Sequence, residues 1–165
     1  MKKILLLLLL LPNIALASSM KMIGEPGNLN DVDRTIEIKM FDNYYEPNQI
    51  NIKKGETVKF VVKNMGELVH EFNIATKEMH IKHQPEMLKM VAMEILLGDR
   101  IDMKKMKEAA KSDHSMAHSH SNSVLLEPNN IGELIWKFST DASLEAACNV
   151  PGHYQSGMVA KITKL

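Results

Sequence analysis

Short runs of alternating apolar and polar residues recur along this chain and set its predicted elements. Arg34 to Met40 alternates with Ile36 and Ile38 on one face, and Gln49 to Lys53 alternates through Ile50 and Ile52. Period two is the strand repeat, so each run predicts a half-buried β-strand. Lys54-Gly55 marks a turn into Val58, Phe60 and Val62, which share the next inward face. Asn64 to Glu67 reads as a turn and Val69 to Ala75 as a strand. Leu134, Trp136 and Phe138 then share a face, and Leu144 to Cys148 and Met158 to Ile162 complete the series. Many short strands with turn punctuation predict an all-β sandwich or barrel.

A segment of different character, 76–123, interrupts this pattern and reads as an insertion. Pro85 suits the first turn of a helix continuing through Glu86 to Leu97, with Gly98 as its stop. Ile101 to Lys111 predicts a second helix, whose mixed Lys/Glu positions form a solvated face. Ser112 to Ser123 is a low-complexity Ser/His stretch, expected to be polar and exposed. Seven of the thirteen Met and five of the seven His fall in this segment. Met87, Met90 and Met93 lie on one side of a helix, where they suit packing on the sandwich alongside Val91 and Leu97.

The N-terminus changes the picture of where the chain resides. Met1-Lys2-Lys3, a leucine block to Leu11 and Ala15-Leu16-Ala17 predict a secretory signal peptide over 1–17. Its apolar block is short for a bilayer span, and no later segment predicts one. Ser18, rather than Cys, follows the expected cut, so no lipid anchor is expected. The mature protein is expected to be soluble and periplasmic, with a loose lead-in at 18–33 and one β-domain over 34–165. Without Lys2 and Lys3, 18 basic residues face 20 acidic ones. That near-neutral balance without a basic stripe argues against a nucleic-acid partner. The lone Cys148 has no disulfide partner. In an oxidising compartment a ligand role accounts for it better than a free thiol.

Candidate chemistry gathers around that cysteine. Cys148, His153 and Met158 lie on one short stretch, and His70 sits upstream in an apolar run. Strand parity puts His70 with Phe72 and Ile74, Cys148 with Leu144 and Ala146, and Met158 with Ala160 and Ile162. All three therefore face inward, and His153 lies on the connecting loop, which Pro151-Gly152 lets turn back. Two His, one Cys and a Met suit a single mononuclear copper that cycles between Cu(II) and Cu(I). Rival metal sites fit poorly. His70-Glu71-Phe72-Asn73-Ile74 begins like a zinc-protease motif but ends in Ile74. A dinuclear copper centre needs a second Cys. A multicopper oxidase needs more histidine pairs than His118-Ser119-His120.

The run from Tyr45 to Phe60, the His70-Glu71-Phe72 motif and the Cys148-x4-His153-x4-Met158 loop resemble the cupredoxin family. The loop spacing is similar to that of rusticyanin and auracyanin and differs slightly from plastocyanin and azurin. The resemblance covers about 36–75 and 134–165 and leaves the insertion uncovered. It implies a Greek-key β-sandwich holding type 1 copper, blue or green. It also implies His70, Cys148 and His153 as strong equatorial ligands, Met158 as the weak axial one, and the edge of His153 as an electron port. With its Met/His-rich segment the chain also resembles, more loosely, CopI-type copper-tolerance cupredoxins.

The expected function is one-electron transfer with partner proteins that the sequence does not identify, without substrate turnover, linked to copper tolerance. A second reading is copper buffering. Thioethers select Cu(I) and imidazoles accept Cu(II), so extra copper would bind through Met79, His80, His83, His114, Met116, His118 and His120. A purely structural β-sandwich module is the third reading, and it leaves the lone thiol unexplained.

Overall fold

Two five-stranded sheets carry the fold of the computed structural model, which describes residues 22–165. The predicted signal peptide therefore lies outside the described residues. The strands are β1 (Glu25–Pro26), β2 (Arg34–Phe41), β3 (Tyr44–Glu46), β4 (Gln49–Ile52), β5 (Thr57–Asn64) and β6 (His70–Ala75). After the insertion follow β7 (Ser123–Leu126), β8 (Ile131–Lys137), β9 (Glu145–Ala147) and β10 (Val159–Lys164). One sheet runs β1-β8-β5-β2-β3 and the other β4-β10-β9-β6-β7. This is the expected all-β Greek-key sandwich, with helices α1 (Lys77–Ala92) and α2 (Met103–Ala109) between β6 and β7.

Alternation builds the core between the sheets. Val58, Phe60 and Val62 of β5 are fully buried and meet Phe72 and Ile74 of β6, Trp136 of β8 and Ala160 of β10. Phe60 packs against Phe72 and Phe138 at ring separations of 5.4 and 6.3 Å. Each such side chain stabilises the fold by about 1.5–3 kcal/mol relative to exposure. Cys148 and Met158 belong to this same core.

Several local expectations are corrected. The lead-in at 18–33 is not loose from Ile23 onward. Ile23 is buried, Trp136 Nε1 donates to its carbonyl at 3.2 Å, and β1 pairs with β8. The first helix begins at Lys77 rather than Pro85, because Thr76 caps it by accepting from the Met79 N–H. Pro85 lies inside α1, where it forgoes only one backbone bond. The helix ends at Ala92 rather than Leu97. Glu94 adopts a left-handed φ of 53°, and the N–H groups of Ile95 and Leu96 turn back to the Met90 carbonyl. The Ser/His stretch is not freely exposed: it forms a 3-10 turn over His114–Ala117 with Met116 buried, then leads into β7.

The insertion has its own small core of Met87, Met90, Ile95, Leu96, Met106, Ala109 and Met116, packed with Val69. Met87 and Met90 are fully buried there, whereas Met93 is partly exposed at the helix end. The insertion also explains why every residue of β6 is buried. The sandwich covers His70, Phe72 and Ile74, while the insertion and β7 cover Glu71 and Asn73.

Candidate metal centre

His70 opens β6, and Cys148 follows β9 at the same end of the sandwich. A turn-rich loop from Asn149 to Gly157 returns the chain to Met158 and β10. The Cys148 N–H donates to the Met158 carbonyl at 3.2 Å, and the Met158 N–H to that of His153 at 3.0 Å. These bonds close the loop on itself. Gly152 supports the tight turn with a φ of 90°, a conformation side chains disfavour.

This geometry brings three of the four predicted donors together. His70 Nδ1 and His153 Nδ1 lie 3.2 Å apart, and Cys148 Sγ is 3.4 Å from His153 Nδ1 and 3.9 Å from His70 Nδ1. The point equidistant from the three atoms lies about 2 Å from each, a metal–ligand distance. Met158 is fully buried at the same end of the core.

His70 is oriented from behind. Its Nε2 lies 2.8 Å from Asp42 Oδ1, so an Nε2–H donated there leaves the Nδ1 lone pair facing Cys148. Asp42 also accepts from the Glu67 and Leu68 N–H groups. Partial burial pushes the Asp42 carboxyl up, but these hydrogen bonds outweigh it and hold the group below its usual range. A methyl on Gly66 would sit 2.3 Å from Asp42 Oδ1 and 2.9 Å from His70 Nε2, so only glycine leaves room for this pair. Burial lowers His70 and His153, which favours neutral imidazoles with free lone pairs. Burial also pushes the Cys148 thiol up to about 12, although the Glu71 N–H donates to its sulfur at 3.3 Å. A thiolate in this setting needs a cation beside it, so two imidazoles and one buried sulfur form a fitting set for a thiophilic metal.

The seven histidine and methionine candidates in the insertion are divided by the fold. His83, His118 and His120 converge with Glu86, one donor atom from each lying within 4.8 Å of the others. Met79 instead packs on the sandwich core and Met116 in the insertion core. His80 is buried with both nitrogens engaged: Nδ1 faces Asn149 Nδ2 at 3.2 Å and Nε2 the Glu145 carbonyl at 3.4 Å. His114 starts the 3-10 turn and lies outside both donor groups.

Asp42, Glu71, Glu86 and Asn149 were not among the sequence candidates. Glu71 is wholly buried between the two histidine groups. Its Oε2 accepts from the N–H and Nδ2 of Asn149, at 3.2 and 2.7 Å. Its Oε1 lies 3.1 Å from His118 Nε2 and 3.3 Å from His83 Nε2. Burial alone would raise its carboxyl, but the histidines hold it well below the usual range.

Comparison with known proteins places these features in a wider group. A family model described as a cupredoxin-like domain matches residues 6–93. A copper-resistant cuproprotein CopI from Pseudomonas aeruginosa is 44% identical over 154 residues, covering 85% of this chain and 81% of its own. The protein of the same name from Rubrivivax gelatinosus is 31% identical over 140 residues, covering 84% and 71%. Dithionite-reduced auracyanin from Roseiflexus castenholzii superposes with a TM-score of 0.56 at 17% identity, over 81% of this chain and 98% of its own. That last likeness is one of fold.

Proposed function

We propose that this chain, which belongs to the cupredoxin family, holds one copper ion through His70, Cys148 and His153 and transfers single electrons in the service of copper resistance. The observation that carries this reading is the triangle of two Nδ1 atoms and one Sγ, with sides of 3.2 to 3.9 Å, at one end of the sandwich. Met158, buried at the same end of the core, would supply a thioether as a weaker fourth donor. Copper bound there would supply a one-electron couple between Cu(II) and Cu(I).

The chain's own residues do the rest. Asp42 fixes the His70 tautomer, the Glu71 N–H steadies the Cys148 sulfur, and the core excludes water. The closed loop holds its donors in one arrangement, which keeps reorganisation small between oxidation states. His153 lies at the wall of a cavity of about 350 Å³ lined also by Leu68, Val91, Leu96, Val150 and Pro151. This apolar depression gives a redox partner an approach to the imidazole edge.

The relatives' printed names support the link to copper resistance. The basic and leucine-rich start supports export to the periplasm. Among the described residues, no helix is long and apolar enough to cross a membrane.

The test is to add Cu(II) to the purified mature protein and record its visible spectrum. An intense thiolate-to-copper band, lost in Cys148→Ser, is expected. Absence of the band, or its survival in that variant, would overturn the reading.

A further inference from the structure

The insertion carries a second convergence of donors, built without sulfur. His83 Nε2, His118 Nε2 and Glu71 Oε1 form a nearly equilateral triangle with sides of 3.3, 3.1 and 3.3 Å. Its centre lies about 2 Å from each atom, again a metal–ligand distance. The three imidazole rings have centroids 5.0 to 5.3 Å apart. Glu86 completes the group, with Oε1 3.2 Å from His120 Nε2 and Oε2 3.7 Å from His83 Nδ1.

We propose that His83, His118 and His120, together with the carboxylates of Glu71 and Glu86, form a second metal site for a divalent cation, Cu(II) foremost. Imidazole and carboxylate donors without a thiolate select Cu(II) or Zn(II) rather than Cu(I).

A purely structural ion cluster accounts less well for the same geometry. Glu71 Oε1 already accepts from Ser123 Oγ at 2.7 Å and Asn73 Nδ2 at 3.1 Å. Those two donors hold the carboxylate in place, with Oε1 aimed at the two imidazoles. The two Nε2 atoms face each other at 3.3 Å, a distance at which no more than one of them can carry a proton toward the other. A cation between them uses both lone pairs at once. His118 caps the 3-10 turn with a left-handed φ of 45°, its N–H donating to the Ser115 carbonyl.

Glu71 joins this site to the first. One carboxylate oxygen faces the histidines of the insertion, the other holds Asn149, and the backbone N–H donates to Cys148 Sγ. Occupancy of the second site therefore bears on the residues around the first.

The site rests on the insertion geometry and would stand even if the thiolate reading of the first centre failed. The experiment starts from the mature Cys148→Ser protein, which lacks the first centre's sulfur. It is titrated with Cu(II) in a weakly coordinating buffer and followed by calorimetry and electron paramagnetic resonance. One bound equivalent is expected, with nitrogen hyperfine structure and no thiolate band. His118→Asn in the same background should lose that equivalent. His120→Gln, which leaves the partners of Glu71 in place, should weaken Cu(II) binding at least about 10-fold and guards against a folding defect in the first variant. In the otherwise native protein, either substitution should lower the copper count from two to one while the visible band persists. No stoichiometric Cu(II) in Cys148→Ser, or an unchanged count in folded histidine variants, would overturn the second site. Absence of the visible band in native protein bears only on the first.

Discussion

Two histidine clusters lie on either side of strand β6, and they differ in how they are built. The sandwich cluster takes its donors from strand ends and one closed loop, includes sulfur, and is backed by the core. The insertion cluster takes its donors from a helix and the stretch following a 3-10 turn, uses only nitrogen and oxygen, and is gathered around the buried Glu71 and the half-buried Glu86. Their difference teaches that one fold can gather a softer and a harder set of donors a single residue apart. Glu71 is that residue, because its main chain serves one cluster and its side chain the other.

The largest expected effect comes from breaking that separation at its hinge. Glu71→Gln removes the charge facing His83 and His118, and loss of a buried ionic partner costs about 3 kcal/mol. Urea unfolding of metal-free protein should show it. If the clusters communicate, the visible band of the copper-loaded variant also shifts. An unmoved band with lowered stability would confine Glu71 to the insertion.

A smaller effect is expected from pH, again on metal-free protein. Burial alone would lower His83, but hydrogen bonds to Glu71 and Glu86 outweigh it and raise the group to about 10. Burial alone would raise Glu86, but His120 and His83 bring it down to about 2. The raised histidine contributes fully below its ordinary value of 6.5, and its contribution is lost as pH climbs through about 10. The depressed carboxylate contributes fully above its ordinary value of 4.5 and loses that contribution as pH falls toward about 2. The insertion should therefore be most stable between these ordinary values. His83→Gln should flatten the alkaline limb of unfolding midpoints measured across pH.

The smallest effect sharpens the comparison by what it leaves alone. Met87 and Met90 are buried packing residues, so replacing both with Leu should leave the copper count unchanged. The stability change should stay within about 1.5 kcal/mol per site in thermal unfolding. A lost copper equivalent would instead make these thioethers ligands.

How much was legible follows from the range of the forces involved. Period-two alternation located the inward faces of β5, β6, β8, β9 and β10, and with them the buried His70, Cys148 and Met158, because parity is a local property of a strand. Asp42 was hidden because its value lies in reaching His70 across 28 positions of chain. Glu71 was hidden for a related reason. Parity points it outward, and only the packing of a helix 12 residues away makes outward mean buried. The proline signal at Pro85 drew the expected helix start away from Thr76, whose side chain caps the helix. The Ser/His stretch looked exposed by composition, but Met116 anchors it and Glu71 draws in His118.

Val150 touches both hydrophobic clusters, since it sits beside Cys148 and packs against the sandwich and the insertion alike. The insertion is therefore a retaining wall of the molecule rather than an attachment to it. A minimal version made by excising it would strip the cover from Glu71 and Asn73 and free one side of the ligand loop. Transplanting that loop onto a bare sandwich would need a substitute wall, and modular redesign of this protein has to move loop and wall together.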